Sequence, residues 1–120
     1  MRDFVLGELR RFANTVRWSV AGWRAAWSTE KSLRQWTVVN VLSAVLVFAL
    51  DLSAAERAVI LALGLAILAA ELFNTAIEEI VDRVEPRQVD WARKAKDCGS
   101  AGVALVALAG GAAWLVVLAA

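Results

Sequence analysis

The sequence predicts an all-α integral membrane protein with an N-terminal amphipathic surface helix followed by three transmembrane helices. Three observations carry this. Charged residues are plentiful, with 13 Lys and Arg against 12 Asp and Glu, yet Thr37 to Leu50, Ala58 to Ala70 and Cys98 to Ala120 contain none. The last of these stretches is long enough to cross a hydrocarbon core that needs about 20 apolar residues of helix. Proline occurs once, at Pro86, and glycine is sparse before Gly99, so little interrupts helix. A soluble domain of 120 residues would instead alternate apolar and polar positions, because each element keeps one wet face.

The first helix, about residues 3–28, sets Arg10, Arg11, Arg17 and Arg24 among Phe4, Phe12, Val16, Val20, Trp23 and Trp27. Basic residues opposite tryptophans and aliphatics suit a helix lying in the headgroup layer. The first span is expected over 32–50, with Arg34 and Gln35 at the interface. A brief polar break follows, in which Ser53 and Glu56 have the spacing of a capping box. The second span, 54–84, is longer than the roughly 30 Å hydrocarbon layer, so one end must project into water. The loop around Glu85 to Asp90 holds the single proline, and the third span occupies 93–119. Together 1–120 read as a single membrane domain.

Lysine and arginine set the orientation. They cluster before the first span and between the second and third, with only Arg57 in the first turn and none at the C-terminus. Positive residues stay cytoplasmic, which places the N-terminus inside and the C-terminus outside. The charged N-terminal segment gives no expectation of a cleaved signal peptide. A net charge of +1 offers no basic field for nucleic acid. One cysteine and no histidine exclude a disulfide framework, a cysteine zinc site and His-dependent catalysis.

The chemistry-bearing residues lie on the second span. Glu71, Asn74, Thr75, Glu78 and Asp82 share roughly a third of the helix circumference at 100° per residue. Glu71 interrupts an apolar run, where an acid costs several kcal/mol unless it is paired, protonated or facing a wet cavity. It is therefore a candidate functional group, against the plainer reading of an acid that bonds helices together. A second cluster opens the last span at Lys96, Asp97, Gly99, Ser100, Ala101 and Gly102, and a third, Glu30 to Gln35, leads into the first. Close helix packing and positive-inside topology are the plain readings of the second, solvated turn chemistry of the third. Carboxylates with a lysine at one membrane face suit a Mg²⁺–phosphate complex, since Mg²⁺ takes hard oxygen ligands. A deeper acid such as Glu71 is placed to take a proton from a hydroxyl at the headgroup boundary. No phosphate-binding Gly-rich loop or kinase catalytic-loop signature occurs.

Four strings carry a resemblance: Arg24-Ala25-Ala26-Trp27 with Glu30; Arg34-Gln35; Glu71-Leu72-x-Asn74-x-Ala76-Ile77-Glu78 with Val81-Asp82-Arg83; and Ala95-Lys96-Asp97-x-Gly99-Ser100-Ala101. In order and spacing the chain resembles the prokaryotic diacylglycerol kinase family over about residues 8 to 118. The resemblance implies a homotrimer with active sites shared between neighbouring subunits, in the bacterial inner membrane. The implied reaction is transfer of phosphate from ATP to diacylglycerol, giving phosphatidic acid, with Mg²⁺ required.

Position by position, the resemblance makes Glu71 the catalytic base and Asn74 an orienting group beside it. Glu30 and Glu78 become Mg²⁺ ligands at the nucleotide. Arg11, Trp18, Lys96 and Asp97 become further nucleotide contacts. Arg24, Trp27, Arg34, Gln35 and Ser100, with Glu71, fall where the family contacts lipid. Trp36 replaces an acidic residue and Trp18 a tyrosine, while Arg87 and Val89 stand where the family tends to offer a glutamate and a histidine to the nucleotide. Two alternatives accompany this reading: an undecaprenol kinase of the same family and, more distantly, a small multidrug-type transporter with four spans.

Overall fold

A computed structural model describes all residues, 1–120, and everything regular in it is α-helix. The helices are α1 (Arg2–Thr29), α2 (Lys31–Ala49), α3 (Ala54–Val84) and α4 (Asp90–Ala119). The chain divides into two compact units, Met1–Glu30 and Lys31–Ala120.

The first unit is α1 alone. Its 28 residues form one uninterrupted helix, with the rings of Trp23 and Trp27 stacked at 5.9 Å between centroids. That spacing is the one-turn offset at which side chains meet on a helix surface.

The second unit holds α2, α3 and α4, each long and apolar enough to cross a membrane. At about 1.5 Å per residue, the 31 residues of α3 span about 46 Å. Helix α3 is the central element, packing against α2 on one side and α4 on the other. Its start is fixed by the expected capping box: the Glu56 N–H donates to Ser53 Oγ (3.2 Å) and the Ser53 N–H donates to Glu56 Oε2 (2.7 Å). The next residue closes the preceding helix. Arg57 Nε donates to the Val47 carbonyl (3.1 Å), which the end of α2 would leave bare, and Nη2 donates to that of Leu50 (3.2 Å), just past the helix.

Interhelical contacts use small and polar residues, because lipid tails are as apolar as leucine and offer no hydrophobic drive between spans. Gly64 of α3 lies directly against the Asn40 side chain of α2, whose Nδ2 donates to the Trp36 carbonyl (2.9 Å). The indole N–H of Trp114 on α4 donates to Ser43 Oγ on α2 (2.9 Å), joining the two helices that flank α3. Above that bond lies a cavity of about 220 Å³, lined by Trp36, Asn40, Ile67 and Gly110 among others. Leu33 and Val47 are wholly enclosed, whereas Val41, Phe48, Leu65, Phe73, Leu105 and Leu115 face outward.

Candidate functional site

The polar stripe of α3 forms a ladder in three dimensions, each rung about one turn from the last. Glu71 is the deepest rung and the one buried charged residue, at 5% exposure. It faces α2, where Ser32 Oγ donates to its Oε2 at 2.9 Å. Three residues on, Asn74 turns toward α4. Its Nδ2 donates to Glu78 Oε1 (3.1 Å), while its Oδ1 is buried with no hydrogen-bond partner and lies against Gly99. A Cβ at position 99 would collide with Asn74 Oδ1 and push that side chain aside. Glu78 is half-buried, and one turn further Asp82 accepts from Lys96 Nζ at 2.9 Å, bridging α3 to α4.

The ladder grades from dry to wet. Glu71 is buried, Glu78 is partly exposed, and Asp82 is in the open. Such a gradient suits a reaction between a group arriving through the bilayer and one arriving through water. Chemically it offers a buried carboxylate able to accept a proton, a carboxylate with one oxygen engaged by an amide, and a cation at the wet end.

Not every expected residue joins the ladder. Asp97 follows Lys96 in sequence but stands 100° around α4, where it lines an open groove with Asp90, Arg93 and Lys94. Ser100 is exposed on the same helix. At the start of α2, Arg34 is half-buried and Gln35 exposed. The remaining candidates belong to the first unit. There Arg11 is paired with Glu8 (2.9 Å), Glu30 Oε1 accepts from Thr29 Oγ1 (3.0 Å), Trp27 stacks on Trp23, and Trp18 and Arg24 are exposed. No three His, Cys, Asp or Glu side chains of this chain converge on one point.

Two participants escaped the sequence reading. Ser32 was grouped with turn chemistry, and only its contact with an acid 39 residues away distinguishes it. The other is Glu85. Arg87 grips its carboxylate through Nε and Nη2, both at 2.8 Å, and adds its own backbone N–H at 3.1 Å. These hydrogen bonds hold the Glu85 carboxyl below its ordinary range and raise the Arg87 guanidinium. Glu85, Pro86, Arg87, Asp82, Arg93 and Lys96 line a polar groove of about 430 Å³ at the wet end of the ladder.

The chain is similar to proteins of one family. The family described as prokaryotic diacylglycerol kinase matches residues 17–118. A diacylglycerol kinase of Pseudomonas aeruginosa is 42% identical over 93 residues, covering 78% of this chain and 76% of the relative. One from Escherichia coli is 32% identical over 108 residues, covering 90% and 88%. One from Haemophilus influenzae is 28% identical over 106 residues, covering 88% and 90%.

Proposed function

From the premise that this chain belongs to the prokaryotic diacylglycerol kinase family, we propose that it phosphorylates diacylglycerol with ATP at the cytoplasmic face of the bacterial inner membrane. The observation that carries the reading is the burial of Glu71 at 5% exposure, at the dry end of a polar ladder on a helix able to span the membrane. In this reading a carboxylate held there, bonded by Ser32, would meet a lipid hydroxyl near the headgroup boundary. The transporter alternative expects four spans, and three helices are long and apolar enough.

In the proposed reaction Glu71 takes the proton as the lipid oxygen bonds to the γ-phosphorus, while the bond from that phosphorus to the bridging oxygen breaks and ADP departs. Phosphatidic acid is the product. Little covalent chemistry falls to the protein, so its residues act by positioning and by electrostatic stabilisation. Asn74 holds Glu78 through Nδ2 and keeps an unused acceptor, Oδ1, beside the reacting groups. Lys96, steadied by Asp82, faces the polar groove and supplies positive charge toward phosphate. Arg11, Trp18 and Asp97 are further nucleotide contacts in this reading. Arg24, Trp27, Arg34, Gln35 and Ser100 contact the lipid.

The donor set fits Mg²⁺. One or two carboxylates complete its shell alongside phosphate oxygens, and in this reading Glu30 and Glu78 are the residues that would supply them. Glu78 has one oxygen engaged by Asn74 and one remaining, and the orphaned Asn74 Oδ1 lies beside it. When bound, the ion neutralises charge on the transferring phosphoryl group. Under this reading α1 lies along the membrane surface, the N-terminus is cytoplasmic, the C-terminus is outside, and the chain assembles as a homotrimer with sites shared between subunits.

The test is transfer of labelled phosphate from ATP in lipid–detergent micelles with Mg²⁺, offering diacylglycerol and undecaprenol in parallel. Labelled phosphatidic acid that vanishes without Mg²⁺ is the expected product. Labelled undecaprenyl phosphate alone would keep the site and change the substrate. Glu71→Gln should lower kcat by at least about 10²–10⁴-fold, the range of a lost general base. Near-normal turnover in that variant sinks the assignment.

A further inference from the structure

Ser32 is the second residue of α2, and that position frees its hydroxyl. Serine and threonine inside a helix commonly return their proton to the carbonyl three or four residues back. Thr15, Ser19, Ser28 and Thr37 all do so in this chain. At Ser32 the carbonyls three and four residues back belong to Thr29 and Ser28, before α2 begins. The hydroxyl instead reaches across to α3 and donates to Glu71 Oε2 at 2.9 Å. It is a long-range polar contact made to the one buried charged residue in the molecule.

A glutamate carboxylate turns about a terminal bond whose torsion is broad and nearly two-fold, so burial alone leaves its oxygens poorly oriented. A donor fixed on a neighbouring helix removes that freedom. With Oε2 engaged by Ser32, Oε1 is the oxygen left to receive a proton. We propose that Ser32 is a positioning residue for the reaction: it sets the rotation of the Glu71 carboxylate so that Oε1 meets the lipid hydroxyl. This rests on the reading of Glu71 as the base. The serine itself touches no phosphate, and nothing covalent passes through it.

The contact ties the first turn of α2 to α3 at this end. Leu33, next to Ser32, is wholly enclosed, which anchors the first turn of α2 and with it the hydroxyl. A side chain held on such a packed turn is a more exacting positioner than one on a loop.

Ser32→Ala and Ser32→Thr, in the full-length protein in Mg²⁺-containing lipid micelles, test the proposal. Alanine removes one oxygen from a helix position and keeps the fold; threonine keeps the donor. Ser32→Ala should lower kcat about 10- to 100-fold, the penalty of a misoriented reacting group, with KM for ATP and for diacylglycerol within about twofold. Ser32→Thr should recover most of the loss. An unchanged kcat in the alanine variant overturns the proposal, as does an equal loss in both variants.

Infrared spectroscopy supplies a readout independent of turnover. The carboxylate band of Glu71, identified by its absence in Glu71→Gln, should move in Ser32→Ala and stay in place in Ser32→Thr. A band indifferent to both substitutions also overturns the proposal. Absence of transfer to either lipid by the unaltered protein would instead defeat the kinase reading, leaving the infrared result to judge the contact alone.

Discussion

Two glycines on this chain face the same problem with different consequences. Gly99 lies against Asn74 Oδ1 and Gly64 against Asn40 Oδ1, each so close that a Cβ would collide. In both cases the obstacle is the end of an amide side chain, which can swing aside at modest cost. Asn74 moving would break its hydrogen bond to Glu78 (3.1 Å); Asn40 moving would break only one to the Trp36 carbonyl (2.9 Å). Gly99→Ala should therefore lower kcat by roughly 10-fold, about 1.4 kcal/mol of barrier, with little change in unfolding midpoint. Gly64→Ala should likewise shift the unfolding midpoint little, since only a side-chain amide must move, and leave turnover per folded molecule intact. Kinetics and denaturation on both variants check the contrast, and equal effects on activity would refute it.

At the scale of helices, stability depends on ends as much as on faces. Arg57 belongs to the first turn of α3 yet completes the last turn of α2, through the Val47 and Leu50 carbonyls and the Phe48 ring, 5.8 Å from the guanidinium carbon. Removing it strands the Val47 carbonyl and takes one of two donors from that of Leu50, at a helix terminus where a cation is also favoured by the helix dipole. Arg57→Ala should cost about 1–3 kcal/mol in unfolding experiments, and about the same in Arg57→Lys, which cannot span both carbonyls at once. Activity below the shifted midpoint should be unaltered, because this turn lies at the opposite end of α3 from the ladder.

The helices and the capping box were legible in the sequence because each depends on neighbours within four residues. The stripe on α3 was legible for the same reason. What could not be read was which helix each rung would meet. Ser32 to Glu71 spans 39 residues and Trp114 to Ser43 spans 71, and no local periodicity encodes such pairs. Periodicity names the face of a helix; only packing names its partner. Asp97 makes the same point in reverse: it adjoins Lys96 in sequence, yet one residue's rotation on α4 sets it in a different groove.

For the molecule as a whole, the second unit encloses few side chains and turns most of its large apolar residues outward. Packing between spans relies on glycine contacts and single hydrogen bonds, as expected where surrounding lipid competes equally for apolar surface. Helix α3, at about 46 Å, outreaches a hydrocarbon layer of roughly 30 Å by several turns. On the proposed reading its charged end from Glu78 to Arg83 lies at the cytoplasmic surface, and mismatch between helix and bilayer would change how deep Glu71 lies below the glycerol backbone. Thick bilayers draw the acid away from the incoming alcohol, and thin ones push it past. Vesicles made from phosphatidylcholines of graded acyl length should accordingly give a turnover maximum at one intermediate length, with both flanks falling several-fold; a flat profile would mean that the helix tilts to compensate. The enzyme would thus be a gauge of the membrane that feeds it.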